Sequence, residues 1–252
     1  GGMATIAFGI IGILASQALG QIAGYSVLVS SGTLLAAFGF SSVDVTAGAL
    51  FYLVSSTLAV SAFFLMIELV ERGQTAAASI LAVTREAFGD VEEEEEEEGV
   101  AFPGTLAILG IAFAVCVLLL AGLPPLSGFI AKFLVLLALL NPAGLGQGGE
   151  IPAIAWWLVG LLILAGLATL IALVRTGIGI FWAPLEEPRP RIRVIEFSAV
   201  VILLLMTVAL VFQAGPVMQY MDATAQYLHS PQFYVESVLQ APRLPLYGGV
   251  EP

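Results

Sequence analysis

Gly122-Leu-Pro-Pro-Leu-Ser-Gly-Phe-Ile-Ala-Lys132 is the stretch that decides how this chain is read. It sets the only lysine of the sequence inside an apolar run, Pro124 to Leu140, with two prolines and two glycines just ahead of it. An ammonium at the centre of a bilayer costs about 2.5–3.5 kcal/mol on insertion scales, so such a residue normally faces a bundle interior or water and marks an ion or proton path. Proline removes a backbone donor, and interrupted helices at membrane depth are tolerated where they line a cavity or meet protein. The reading is a broken helix over 122–140, with Pro124, Pro125, Ser127 and Gly128 at the break and Lys132 as a proton relay. The competing reading is a tight turn with its prolines in a first helical turn, and a lysine that snorkels or sits in a fixed ion pair. Lys132 stands about eight residues, or ~12 Å of helical rise, from either end of its run, which leaves snorkelling strained.

The run that holds Lys132 is one of seven. Crossing a hydrocarbon core of ~30 Å takes ~20 apolar residues in a helix, and stretches 2–18, 22–40, 48–70, 101–121, 124–140, 152–181 and 194–213 meet or approach that length. They are continuous, which argues against the short alternating strands of a barrel. Composition agrees: 59% of the chain is hydrophobic and 11% charged, against about 25% charged in ordinary globular domains. The expected fold is an all-α polytopic membrane protein of about seven transmembrane helices.

The loops set the organisation. Residues 1–72 hold the first three spans, and Glu68-Leu-Val-Glu71-Arg72 marks an interface. Residues 73–100 are expected to form an acidic solvated loop, since Glu92 to Glu98 supply seven of the nineteen acidic residues. Residues 101–213 hold four more spans, and 214–252 a polar tail. The loop near 183–193 carries Pro184, Pro188 and Pro190 with Arg189, Arg191 and Arg193, and the positive-inside rule places it in the cytoplasm. With seven spans the glutamate loop and the tail fall outside, against which Arg72 and Arg85 weigh weakly. Ser230-Pro231 predicts a helix start, and Val217, Met218, Met221, Ala225 and Leu228 predict a helix that lies at the membrane surface or packs on the protein, with packing the preferred reading. The chain opens inside apolar sequence without the basic region of a signal peptide, so upstream sequence is expected.

Other residues divide between structure and chemistry. Ser26, Ser30 and Thr33 share one helical face, as do Tyr52 and Ser56 with Ser55 close by; these hydroxyls either line a hydrated path or serve as glue between helices, and packing is the preferred reading. Glu68 and Glu71 read as interfacial, with Glu68 an alternative buried acid, Asp44 as a loop residue, and His229 as solvated. Trp156, Trp157 and Trp182 fit an interfacial belt. Cys116 is the sole cysteine, which excludes a disulfide framework and a cysteine-rich metal site. No cofactor or metal is implied, and eight basic residues without a basic patch argue against nucleic acid.

Three segments carry a resemblance. Gln21-Ile-Ala-Gly-Tyr-Ser-Val-Leu-Val-Ser-Ser-Gly-Thr-Leu-Leu35, Ala49-Leu-Phe-Tyr-Leu-Val-Ser-Ser-Thr-Leu58 and Gly122 to Phe133 resemble the antiporter subunits related to respiratory complex I. With Tyr220-Met-Asp-Ala-Thr-Ala-Gln-Tyr-Leu-His229, the chain is similar to the D subunit of Mrp-type sodium/proton antiporters. The resemblance implies the second half of an antiporter-like inverted-repeat fold of roughly fourteen spans, with Lys132 matching the lysine of the second repeat's broken helix. It implies proton conduction coupled to sodium, within a hetero-oligomeric complex in the cell (inner) membrane, and a secondary transporter subunit rather than an enzyme. Two positions depart from the family: Gly20-Gln21 replaces a frequent basic pair, and Ser55 replaces a common histidine. Both departures remove titratable links, so the relay either runs more through water and hydroxyls or is impaired. Alternatives are the same module in a quinone reductase or membrane hydrogenase, and a structural membrane subunit that conducts nothing.

Overall fold

The computed structural model describes residues 1–88, 104–142, 144, 149–181, 194–230 and 232–239, and among these every regular element is helical. Each of the seven predicted apolar runs is one helix: α1 (Gly2–Ala15), α2 (Leu19–Phe38), α3 (Val43–Phe88), α4 (Gly104–Ala121), α5 (Ser127–Leu140), α6 (Ala153–Phe181) and α7 (Val194–Phe212). The tail adds α8 (Ala214–His229) and α9 (Gln232–Leu239). Backbone amides in lipid must be paired within the segment, which is why continuous apolar sequence becomes helix.

Two of these helices lie end to end. Four contacts fix the direction of α4 and α5 against α3. A Cβ on Gly48 would lie 3.2 Å from the Val135 nitrogen, and Ser55 bonds Ser127. Ala59 shares a small cavity with Leu119, and the rings of Phe63 and Phe113 lie 6.2 Å apart. Residue numbers rise along α3 while they fall steadily from α5 into α4, so both helices run antiparallel to α3, one after the other. They are the two halves of a single interrupted pass. α6 runs antiparallel to this pass, with Gly166 beside Ala121 and Gly177 beside Phe113. Periodicity alone separated the two halves, which lie end to end along α3.

α3 and α6, both antiparallel to α4–α5, run parallel to each other, and Phe113 bridges them through its ring contacts with Phe63 and Phe181. The glutamate run, the three-arginine segment and Trp182 lie outside the described residues.

Three helices, α2, α6 and α3 over Val43–Arg72, are individually long and apolar enough to cross a membrane. α3 also continues to Phe88, past the end expected at Arg72. Residues 73–88 contain no proline and are rich in alanine, the best helix former. The helix therefore propagates into what was expected to be loop. Asp44 likewise sits in the first turn of α3 and not in a loop.

At the opposite end of the bundle the chain bends by 80° between α7 and α8. α8 turns Val217, Met218 and Met221 against the core and buries Ala225, while Leu228 stays exposed. His229 is exposed, as expected, and its ring also reaches the side chain of Thr46 at 2.9 Å, tying α8 to the start of α3. α9 begins one residue after the Ser230-Pro231 signal.

Candidate functional site at the helix break

The break follows from two prolines. In an unbroken α-helix the Leu120 carbonyl would accept from residue 124 and the Ala121 carbonyl from residue 125. Both positions are proline and have no N–H to give. α4 stops at Ala121, and Gly122 turns the chain with φ +76°, in the left-handed region that favours glycine. The Pro124–Pro125 peptide is cis. The two orphaned carbonyls are taken by Lys132: its Nζ donates to Leu120 at 3.1 Å and to Ala121 at 2.8 Å. The ammonium thus caps the C-terminal, electronegative end of α4.

Glycines leave room for this contact. A Cβ on Gly122 would lie 2.6 Å from Lys132 Cδ and 2.9 Å from its Nζ. On Gly128 a Cβ would collide with the Leu119 carbonyl oxygen, so glycine lets the start of α5 pass against the end of α4. Ser127 and Gly128, expected at the break, are the buried first residues of α5. The turn proper is 122–126.

Lys132 sits between two different cavities. On one side is a groove of about 320 Å³ whose lining includes Phe129, Phe133, Leu162 and Gly166. On the other is a pocket of about 20 Å³ lined by Ser30, Tyr52, Ser55, Ser56 and the backbone flank of the break. A volume of this size holds about one water molecule. Tyr52 donates to Ser30 at 3.3 Å and Ser55 to Ser127 at 3.0 Å, so hydroxyls from α2, α3 and α5 converge beside the lysine.

Not every predicted hydroxyl joins them. Ser26 donates to its own helix at Ile22 and Thr33 at Val29, 2.8 and 2.7 Å; neither lines the small pocket, though the Thr33 hydroxyl also lies within hydrogen-bonding reach of Tyr52. Ser56 lines it while donating to Leu53. Glu68 is exposed and pairs with Arg72 one turn on, which fits an interfacial residue and not a buried acid. Among the described residues no carboxylate pairs with Lys132, and no cluster of three His, Cys, Asp or Glu could hold a metal ion.

One residue escaped the sequence reading. Arg175 lies in α6 and donates to the carbonyls of Ser16 at 2.6 Å and Leu14 at 3.4 Å, capping the end of α1. Its signal was present, a single cation in a 29-residue apolar helix, but a cation nearer a helix end is less costly than Lys132 and stands out less.

Known proteins bear on this arrangement. No protein-family model matches the chain. It is 59% identical, over 96% of its length, to the D subunit of a probable K(+)/H(+) antiporter of Rhizobium meliloti. It is 28% identical, over 94% of its length, to the D subunit of the Na(+)/H(+) antiporter of Bacillus subtilis. Its fold superposes on a chain of the Mrp complex from Dietzia sp. with a TM-score of 0.70 at 17% identity, over 94% of this chain and 48% of that one. The chain spans about half the length of the curated relatives it matches, 46% and 43% of the two named.

Proposed function

We infer that this chain, a homologue over nearly its whole length of antiporter D subunits, forms a proton-translocating part of a multisubunit cation/proton antiporter, with Lys132 as the relay. The observation that carries the reading is the position of the ammonium, between orphaned carbonyls and a hydroxyl-lined pocket, with no carboxylate to lock it among the described residues. A charged lysine has three donors, of which two serve the carbonyls. The third is free for the pocket. A neutral amine keeps two N–H groups and gains a lone pair, so it can hold both carbonyls and accept a proton from a water beside Tyr52. Proton exchange then needs no rearrangement of the backbone. Ser30, Tyr52, Ser55 and Ser56 supply the polar partners for that water, while Ser26 and Thr33 serve helix packing.

The exchanged cation follows from similarity. The resemblance in the sequence pointed to sodium, as the names of the relatives at 28% and 26% identity do. The relative at 59% is named for potassium, and on that ground we favour potassium, with sodium as the second reading. Partners are the other subunits of such a complex, and the rest of the D subunit. Counting α4–α5 as one pass makes six, and the positive-inside rule then puts the face toward which α3 and α6 run in the cytoplasm, where Arg72 no longer opposes it.

The test is Lys132→Ala in the complete antiporter, assayed in everted vesicles with potassium and then sodium. Exchange should be lost while the complex still assembles. Unaltered exchange would remove Lys132 from the path, and loss of assembly would favour a structural subunit.

A further inference from the structure

Gly166 lies on α6, across from the helix break, and contributes no polar group to the site. Its importance is steric. A Cβ on this residue would lie 2.6 Å from the Ala121 carbonyl oxygen and 3.6 Å from Lys132 Nζ. The obstacle is backbone, which cannot swing aside as the end of a long side chain can. The same carbonyl oxygen is the closer of the two acceptors of Lys132. Elsewhere on α6, Gly160 and Gly179 face open space, with nothing within 4 Å of a Cβ. Gly166 is thus the α6 glycine whose missing side chain is filled by the lysine's own acceptor.

We propose that Gly166 is a positioning residue, which seats the Ala121 carbonyl where the Lys132 ammonium can hold it. It acts through the backbone of α4. A methyl group there pushes Ala121 away from α6 and turns its oxygen off the lysine. Losing one of its two acceptors frees the Lys132 amine from the end of α4 and leaves it more open to a reagent. This inference rests on the relay reading for its consequence in transport, but its structural content can be read without transport.

Lys132 is the only lysine of the chain, so its acylation by acetic anhydride is read unambiguously by peptide mass spectrometry. The groove beside it gives the reagent a route. In the complete complex in membranes, Gly166→Ala should raise the modification rate of Lys132 by about tenfold, the factor equivalent to ~1.4 kcal/mol of lost hydrogen bonding. Gly160→Ala should leave the rate at the wild-type value. An unchanged rate in Gly166→Ala, or an equal rise in Gly160→Ala, overturns the proposal. Failure of Gly166→Ala to assemble when Gly160→Ala assembles overturns it too, since Gly166 would then be a packing residue of the whole bundle. If Lys132→Ala retains exchange while the labelling result holds, the relay reading fails and the positioning role stands.

Discussion

The Ser55 hydroxyl donates a 3.0 Å hydrogen bond to the hydroxyl of Ser127, the first residue of α5. Both side chains are wholly inaccessible, so neither has water as a substitute partner. The bond pins the second half of the interrupted pass to α3 little more than one turn from Lys132. Ser55→Ala should cost about 0.5–2 kcal/mol, the range for interhelical hydroxyl bonds and unpaired buried donors. In thermal unfolding of the complex in detergent, the double variant Ser55→Ala/Ser127→Ala should lose less than the two singles together. Strict additivity would mean that the two hydroxyls do not support each other.

Arg175 solves for α1 the problem that Lys132 solves for α4, supplying a cation to carbonyls with no partner in their own helix. A charge at a helix C-terminus contributes ~0.3–1 kcal/mol, and up to ~2 when partly buried. Arg175→Gln should therefore lower stability by about 1–2 kcal/mol and speed hydrogen exchange in the last turn of α1. Arg175→Lys should recover part of the loss. Exchange in that turn indifferent to all three residues would show that the cap is idle.

What the sequence revealed, and what it hid, divide along physical lines. Burial of continuous apolar sequence is a local property, and each of the seven runs became one helix. The lysine was legible because a cation amid apolar residues is costly wherever it lies. Whether α4 and α5 cross once or twice was not legible, because two prolines and a glycine suit both a hairpin and an offset continuation. The deciding contacts, Gly48 with Val135 and Phe63 with Phe113, are tertiary. Ser26 and Thr33 share a helical face with Ser30, yet their hydroxyls bond the preceding turn; periodicity gives the face of a side chain but not the partner of its oxygen. Gly166 carried no signal in sequence, since its neighbour Ala121 is 45 positions away.

Asp222 gives α8 a pH response. Partial burial pushes its carboxyl above the ordinary aspartate range, and the Asp44 carboxylate at the start of α3 pushes the same way. A group that holds its proton more tightly when docked contributes most below its unfolded value, ~3.9. That contribution is lost as pH rises through the raised value of the docked state. Hydrogen exchange of α8 amides, corrected for intrinsic rates, should show firmer docking on α3 at the acid end of this window. Asp222→Asn should flatten the slope and dock more firmly than wild type at neutral pH. A slope that survives the substitution would have to belong to another group.

Gly122 separates the backbone requirement of the break from its chemistry. With φ +76° it incurs the left-handed penalty once a side chain is added, ~1–2 kcal/mol. Gly144, at φ +96°, has nothing within 4 Å of a Cβ and carries only that backbone cost. At Gly122 the new methyl also meets Lys132 Cδ at 2.6 Å, and because the lysine end is flexible it is the lysine that moves, off the carbonyls of Leu120 and Ala121. Gly122→Ala and Gly144→Ala should thus destabilise the complex by comparable amounts in thermal unfolding. Only Gly122→Ala should lose exchange in everted vesicles, toward the level of Lys132→Ala. Comparable exchange in the two glycine variants would mean that the lysine works equally well away from the carbonyls, and that the cap on α4 is structural alone.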